Sequence, residues 1–130
     1  MLVDTSAWIE HDRETGSAAD LRLRRALEED EPLDTVGVVV QELYSGARSE
    51  RDADDLVRLL ARCRYLPLEE PADYEAAATL YRTCRRAGTT VRRLPDCLIA
   101  IVAMRNGSPV LQFDADFTMI AKHAPLELLP

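Results

Sequence analysis

Side chains that suit a soft metal are scarce in this sequence: two histidines and three cysteines among 130 residues. Cys63, Cys84 and Cys97 are odd in number and far apart, form no C-x-x-C pair, and have neither histidine at ligand spacing. That excludes a zinc centre and a disulfide framework, and the three read as reduced, mostly buried thiols. Nor does any stretch approach the roughly 18 to 20 apolar residues of a membrane span, and the N-terminus lacks the basic region and apolar run of a signal peptide. The expected setting is cytoplasmic, with no membrane partner. Aromatic residues make up 5% of the chain, too few for a base-stacking surface, so Trp8 reads as core or partner contact. Positive charge is in the minority: 16 Lys and Arg against 23 Asp and Glu leave a net charge of -7. Taken alone, that argues against a nucleic-acid partner, because phosphate binding usually needs a basic face. Glycine and proline are scattered, and no repeat, linker or low-complexity tract divides the chain, so residues 1–130 are expected to form a single domain.

What is present is a series of short apolar segments separated by helical patterns. Residues 1–4 read as a buried strand, residues 17–31 as a helix with Ser17 as its N-cap, and Leu33–Val36 as a second strand after Pro32. VVVQELYSGAR carries a helical pattern ending near Gly46. SERDADDLVRLLARC opens with a capping signal at Ser49 and Asp52, and the two helices are expected to form a hairpin. A strand is expected at Tyr65–Leu68, a helix from Pro71 to Ala87 stopped by Gly88, and a helix from Pro95 to Asn106–Gly107. The last strands read as Val110–Phe113 and Leu126–Leu129, with Lys122 inside a helical segment between them. Such alternation predicts an α/β domain with a mostly parallel central sheet flanked by helices on both faces.

Acids fall at telling places on this scaffold. Asp4 closes the first strand and Asp114 a later one, and in open parallel sheets the functional crevice lies outside the carboxyl ends of the strands. Asp96 stands in the first turn of the apolar helix LPDCLIAIVAM, Glu42 beside the buried stripe of VVVQELY, and Asp116 two residues beyond Asp114. Each has an ordinary structural explanation: Asp4 and Asp114 as helix N-caps, Asp96 as a complement to a helix dipole, Glu42 as a solvated helix residue. Jointly these explanations weaken, because converging carboxylates repel one another unless a cation neutralises them. Hard oxygen ligands without His or Cys select Mg²⁺ or Mn²⁺, and one or two such ions can polarise a phosphodiester and activate water.

VDTSAWIE, VVVQEL, VRRLPDCLIAIVAM and VLQFDADF, in that order and spacing, resemble the four acidic motifs of PIN-domain ribonucleases, and in particular those of the VapC toxins of bacterial toxin-antitoxin modules. The resemblance implies a PIN-like fold and a metal-dependent endoribonuclease that cuts structured RNA, either tRNA or ribosomal RNA, leaving a 5′-phosphate and a 3′-hydroxyl. It implies that Asp4, Glu42, Asp96 and Asp114 form the acidic pocket. Asp4, Asp96 and Asp114 would hold Mg²⁺, with Mn²⁺ as a substitute, Asp116 would help directly or through water, and Thr5 or Ser6 would support the site by hydrogen bonding. It also implies inhibition by a VapB-type antitoxin and assembly as a homodimer, for which Trp8, Leu59 and Leu60 offer apolar surface. The chain departs from the pattern at Phe113, where such toxins are often polar, and at Ala115, where a basic residue is common.

Bound metal would offset the site's own share of the negative charge. Of the 16 basic residues only Lys122 is lysine. Arginines therefore supply nearly all the positive charge, and they suit bidentate phosphate contact. Arg92 and Arg93, next to the loop that leads to Asp96, are the candidates for RNA binding, while His11 and His123 are too far from the acids in sequence to serve as general base. Two alternatives stand beside the nuclease: a catalytically inactive PIN-like binding domain, and a receiver-type phosphoacceptor domain. The second lacks support, since Asp4 stands alone behind the first strand where a receiver has an acid pair.

Overall fold

The computed structural model describes residues 1–129. Its sheet is built from five strands of two residues each, β1 (Leu2–Val3), β2 (Asp34–Thr35), β3 (Arg64–Tyr65), β4 (Val110–Leu111) and β5 (Leu128–Leu129), in the order β3-β2-β1-β4-β5. Every neighbouring pair is parallel. The helices among the described residues are α1 (Thr5–Asp12), α2 (Ala18–Glu28), α3 (Gly37–Ser45), α4 (Glu50–Leu60), α5 (Ala72–Arg86), α6 (Leu94–Arg105) and α7 (Ala115–Ile120). Right-handed crossovers force the layering. The chain steps outward from β1 to β2 to β3 with α1–α4 on one face, then returns past β1 to β4 with α5–α7 on the other. The packing agrees, since α1 lies against α2 and α3, whereas α5, α6 and α7 contact one another. The direction of winding reverses between β1 and β4, so the crevice at the carboxyl ends opens there.

Local chemistry sets the element ends. Ser17 caps α2 by accepting from the Asp20 amide, and Ser49 caps α4 by accepting from the Asp52 amide. Pro95 sits in the first turn of α6, where its missing N–H costs nothing. Leu2, Val3, Val110 and Leu111 are wholly buried, as are Cys97, Ile99, Ala100, Val102 and Ala103 of α6. That helix is apolar on nearly every side because it lies between the sheet and α5. Burial pushes the Cys97 thiol up to about 12 and the Cys63 thiol up to about 11, which leaves both inert at neutral pH.

The strands are shorter than the apolar segments that contain them. Pairing on β2 ends at Thr35 because α3 opens at Gly37, so the last bond across to β3 is the one the buried Leu66 amide donates to the Thr35 carbonyl at 2.8 Å. The segment 110–113 leaves the ladder after Leu111, because the Phe113 amide donates to Ser6 Oγ and the Asp114 amide to Gln112 Oε1. The helix expected over 17–31 stops at Glu28, and Asp30 takes a left-handed backbone at φ +52° to turn the chain toward β2. Lys122 lies in a turn beyond α7 rather than within a helix. Trp8 and Leu60 are packed into the domain, 4% and 8% exposed, so neither is free to make surface for a second copy.

At the start of β2, Asp34 is buried and fully paired. It accepts from Arg64 Nε at 2.8 Å and Nη2 at 3.1 Å and from Ser108 Oγ at 2.6 Å, and the N-terminal amine lies 3.9 Å away. Burial alone would push its carboxyl up, but these partners more than offset that and hold it below the usual range.

Candidate active site

Five acids from four segments meet at the carboxyl ends of β1 and β4. Asp4 follows β1 and caps α1, its Oδ2 accepting from the Ser6 amide at 2.9 Å and the Ser6 hydroxyl at 2.6 Å. Asp114 follows β4 and caps α7, its Oδ1 accepting from the Asp116 amide at 2.9 Å. Two of the ordinary explanations are thus true of the molecule. They do not compete with a site, because each cap occupies one carboxylate oxygen and leaves the other. Ser6 does more than support Asp4, since the same hydroxyl accepts from the Phe113 amide at 2.9 Å and ties the end of β1 to the end of β4. The neighbouring Thr5 hydroxyl is buried without a partner.

Asp96 is the anomaly. It has no solvent exposure, and neither of its carboxylate oxygens has a hydrogen-bond partner; Asp4 Oδ1 is buried and unpartnered in the same way. An ionised carboxylate in that condition is expensive, at several kcal/mol or more. Burial first, and then the charge of Asp4, push the Asp96 carboxyl up to about 7, while Arg93 pulls the other way. Asp4 is also raised, by burial above all and against the pull of Ser6, with Glu42 adding repulsion. One oxygen from each of Asp96, Asp114 and Asp116 lies within 4.8 Å of the others. These three could surround one cation with anionic oxygen, and Asp4 and Glu42 approach the same centre from the side of β1 and α3. The donor set contains no histidine or cysteine and includes buried oxygens lacking any donor, which fits a hard divalent ion such as Mg²⁺ or Mn²⁺.

Arg92 and Arg93 reach into this cluster. Arg92 Nη2 donates to Asp114 Oδ1 at 2.9 Å and Arg92 Nε to Asp116 Oδ1 at 3.1 Å. The Arg93 amide donates to Asp116 Oδ2 at 2.9 Å, its guanidinium pairs with Glu42, and its Nη1 lies 4.0 Å from Asp96 Oδ1. Sequence reasoning placed these arginines near Asp96 as phosphate ligands and did not foresee that they would lie on the acids. The signal was available in the charges themselves, since five converging carboxylates attract the nearest cations. Gln112 was missed altogether, for nothing in its spacing marks a side chain that positions the Asp114 amide.

Beside the pocket runs a groove of about 590 Å³ between α1, α3 and α4, lined by apolar Trp8, Leu43, Leu56 and Leu59 and by Glu42 of the acid cluster. No helix among the described residues is long and apolar enough to cross a membrane.

Comparison with known proteins places this geometry in context. The PIN domain family profile matches residues 1–123. The chain is 41% identical over 128 residues to the protein named ribonuclease VapC11 of Mycobacterium tuberculosis, covering 98% of this chain and 96% of that one. Among solved structures it resembles VapBC2 of Rickettsia felis bound to a DNA fragment from its promoter, at TM-score 0.76 and 14% identity, covering 98% of this chain and 96% of that one. It also resembles Mycobacterium tuberculosis VapC20, described as a toxin that cleaves the sarcin-ricin loop, at TM-score 0.66 and 23% identity, covering 99% of this chain and 98% of that one. At those identities the two structures bear on the fold alone.

Proposed function

This chain belongs to the PIN-domain family and is related to its VapC ribonucleases, and from that premise we propose that it is a Mg²⁺- or Mn²⁺-dependent endoribonuclease of the VapC toxin type. Its substrate is structured cellular RNA, tRNA or ribosomal RNA, and its compartment the cytoplasm. A VapB-type antitoxin silences it, and the working unit is a homodimer. The observation that carries the reading is the pair of buried carboxylates, Asp4 and Asp96, with one oxygen of Asp4 and both of Asp96 lacking donors at the switch point of a parallel sheet. A fold does not keep such groups for stability, since each raises the free energy of the metal-free chain.

Asp4, Asp96 and Asp114 are the residues that would hold the ion, with Asp116 beside them and Glu42 at the edge. When bound, one or two divalent ions lower the pKa of a coordinated water and draw charge from a phosphodiester oxygen. The chain's own residues do the rest. Ser6 orients Asp4 through two hydrogen bonds. The burial of Asp96 keeps solvent from competing for its oxygens, and the 2.6 Å contact from the Asp114 amide to Gln112 fixes the turn that presents Asp114. Arg92 and Arg93, on the open side of the cluster, would grip the phosphates that flank the cut site as bidentate donors.

Replacing Asp4 or Asp96 by Asn keeps shape and removes an anionic ligand. Each variant is expected to retain the circular dichroism of the parent and to lose cleavage of total RNA by at least about 10²-fold in Mn²⁺, to the level the parent shows in EDTA. Parent-rate cleavage by either variant would strip that residue of its role, and absence of cleavage by the parent in Mn²⁺ would favour the inactive binding domain. Mapping the cut sites in cellular RNA then separates tRNA from ribosomal RNA.

A further inference from the structure

The two arginines beside the acids do something that phosphate binding does not require. Arg92 sits on Asp114 and Asp116, two of the three carboxylates grouped within 4.8 Å. Arg93 sits on Glu42 and faces Asp96, and its charge is felt by Asp4 as well. Between them the guanidiniums cover both sides of the cluster, yet they satisfy it incompletely: Asp96 keeps two oxygens and Asp4 one with no hydrogen-bond donor. They offset part of the pocket's charge without hydrogen-bonding Asp4 or Asp96.

The loop that carries them is fastened by its backbone and free at its tips. Gly88 at φ +78° turns the chain out of α5. Val91 is buried, the Thr89 hydroxyl meets His123 Nε2 at 2.9 Å, and the Arg93 amide is held by Asp116 Oδ2. By contrast the Arg92 side chain is 66% exposed and that of Arg93 39%. Rotation of either side chain breaks only ion pairs that water partly screens, and the loop need not move. A divalent ion brings twice the charge of a guanidinium at contact distances of about 2.0 to 2.1 Å, and it can reach oxygens that the planar guanidinium leaves bare. Asp114 and Asp116 are two of the three carboxylates that could hold it, and Arg92 already sits on one oxygen of each.

We propose that Arg92 and Arg93 form a counterion latch that closes the acid pocket in the metal-free chain and turns outward when a divalent ion enters. The latch rests on the metal-dependent reading above. It keeps the empty site from unfolding under its own repulsion, and it makes the ion displace two cations to bind. The displaced guanidiniums stand at the mouth of the pocket, where a phosphate can pair with them, so nucleic acid and metal favour the same open arrangement.

Calorimetric titration with MnCl₂ at pH 8 tests this without any nuclease assay. Arg92→Gln and Arg93→Gln are each expected to bind Mn²⁺ more tightly than the parent, by about tenfold, and each is expected to melt at lower temperature than the parent in EDTA. Arg93→Lys keeps a charge and is expected to remain near the parent. Arg58→Gln, which alters an exposed pair with Asp55 on α4, changes net charge equally and is expected to leave Mn²⁺ affinity alone. Arg92 is surface-exposed, so its variant reports even if Arg93→Gln fails to fold. Unchanged or weaker Mn²⁺ affinity in the Gln variants overturns the latch while leaving metal dependence intact. Failure of the parent and of both variants to bind Mn²⁺ overturns both.

Discussion

Asp96 carries an electrostatic burden that shows in the stability of the metal-free protein. Burial and the charge of Asp4 raise its carboxyl from 3.8 to about 7, so between those values the folded chain holds a proton that the unfolded chain releases. Stability therefore falls as pH rises through that window and stays depressed above it. Asp96→Asn, which cannot ionise, is expected to melt like the parent near pH 4 and to be more stable by roughly 1 to 3 kcal/mol at pH 8 in metal-free buffer. A variant no more stable than the parent at pH 8 would mean that Arg93 already neutralises Asp96 in full. Asp34 behaves in the opposite sense, since its partners lower its carboxyl and its contribution is lost as pH falls. The contrast explains what could be read from residues alone. Asp4, Asp96 and Asp114 stood out because each interrupts or ends an apolar segment, but Asp34 does so too, and only its contacts from Arg64 and Ser108 set it apart from Asp4 and Asp96, which keep buried oxygens without donors.

Elements were legible where a side chain announces its own role. Ser17 and Ser49 cap the helices expected of them, and Gly88 lies just past the end of α5. Strand length was not legible, because it depends on where the partner strand leaves the ladder, as Thr35 and Leu111 do, and no local pattern contains that information. The hairpin of α3 and α4 was expected from its caps; the groove it makes with α1 was not, since a concavity is a relation between three helices. If an antitoxin silences the chain as proposed, an extended arm of it would lie in that groove, with apolar contacts on Leu43, Leu56 and Leu59 and a basic side chain directed past Glu42 into the acids. Replacing that basic residue of the arm by Glu is expected to restore partial RNA cleavage within the complex. Full inhibition by the altered arm would show that cover of the groove suffices and that charge substitution plays no part.

At the scale of the whole molecule, the α/β class followed from alternating segments, and the parallel sheet from their apolar character. The layering needed only the handedness of crossovers. Self-association rests on less. With Trp8 and Leu60 inside the domain, the apolar surface left for a second copy includes Leu21, Val57 and Tyr65, each more than half exposed. Light scattering at micromolar concentration is expected to give twice 14.6 kDa; a mass of one chain would remove the homodimer. The two-residue strands carry a different consequence. A sheet so shallow, about 7 Å from end to end, has no interior remote from its rim, so Val3 and Leu111 are core residues bonded directly to the segments that bear Asp4 and Asp114. A methyl group gained or lost there shifts a carboxylate as surely as it alters packing. In this protein a library screened for folding alone would therefore be sorting catalytic geometries at the same time.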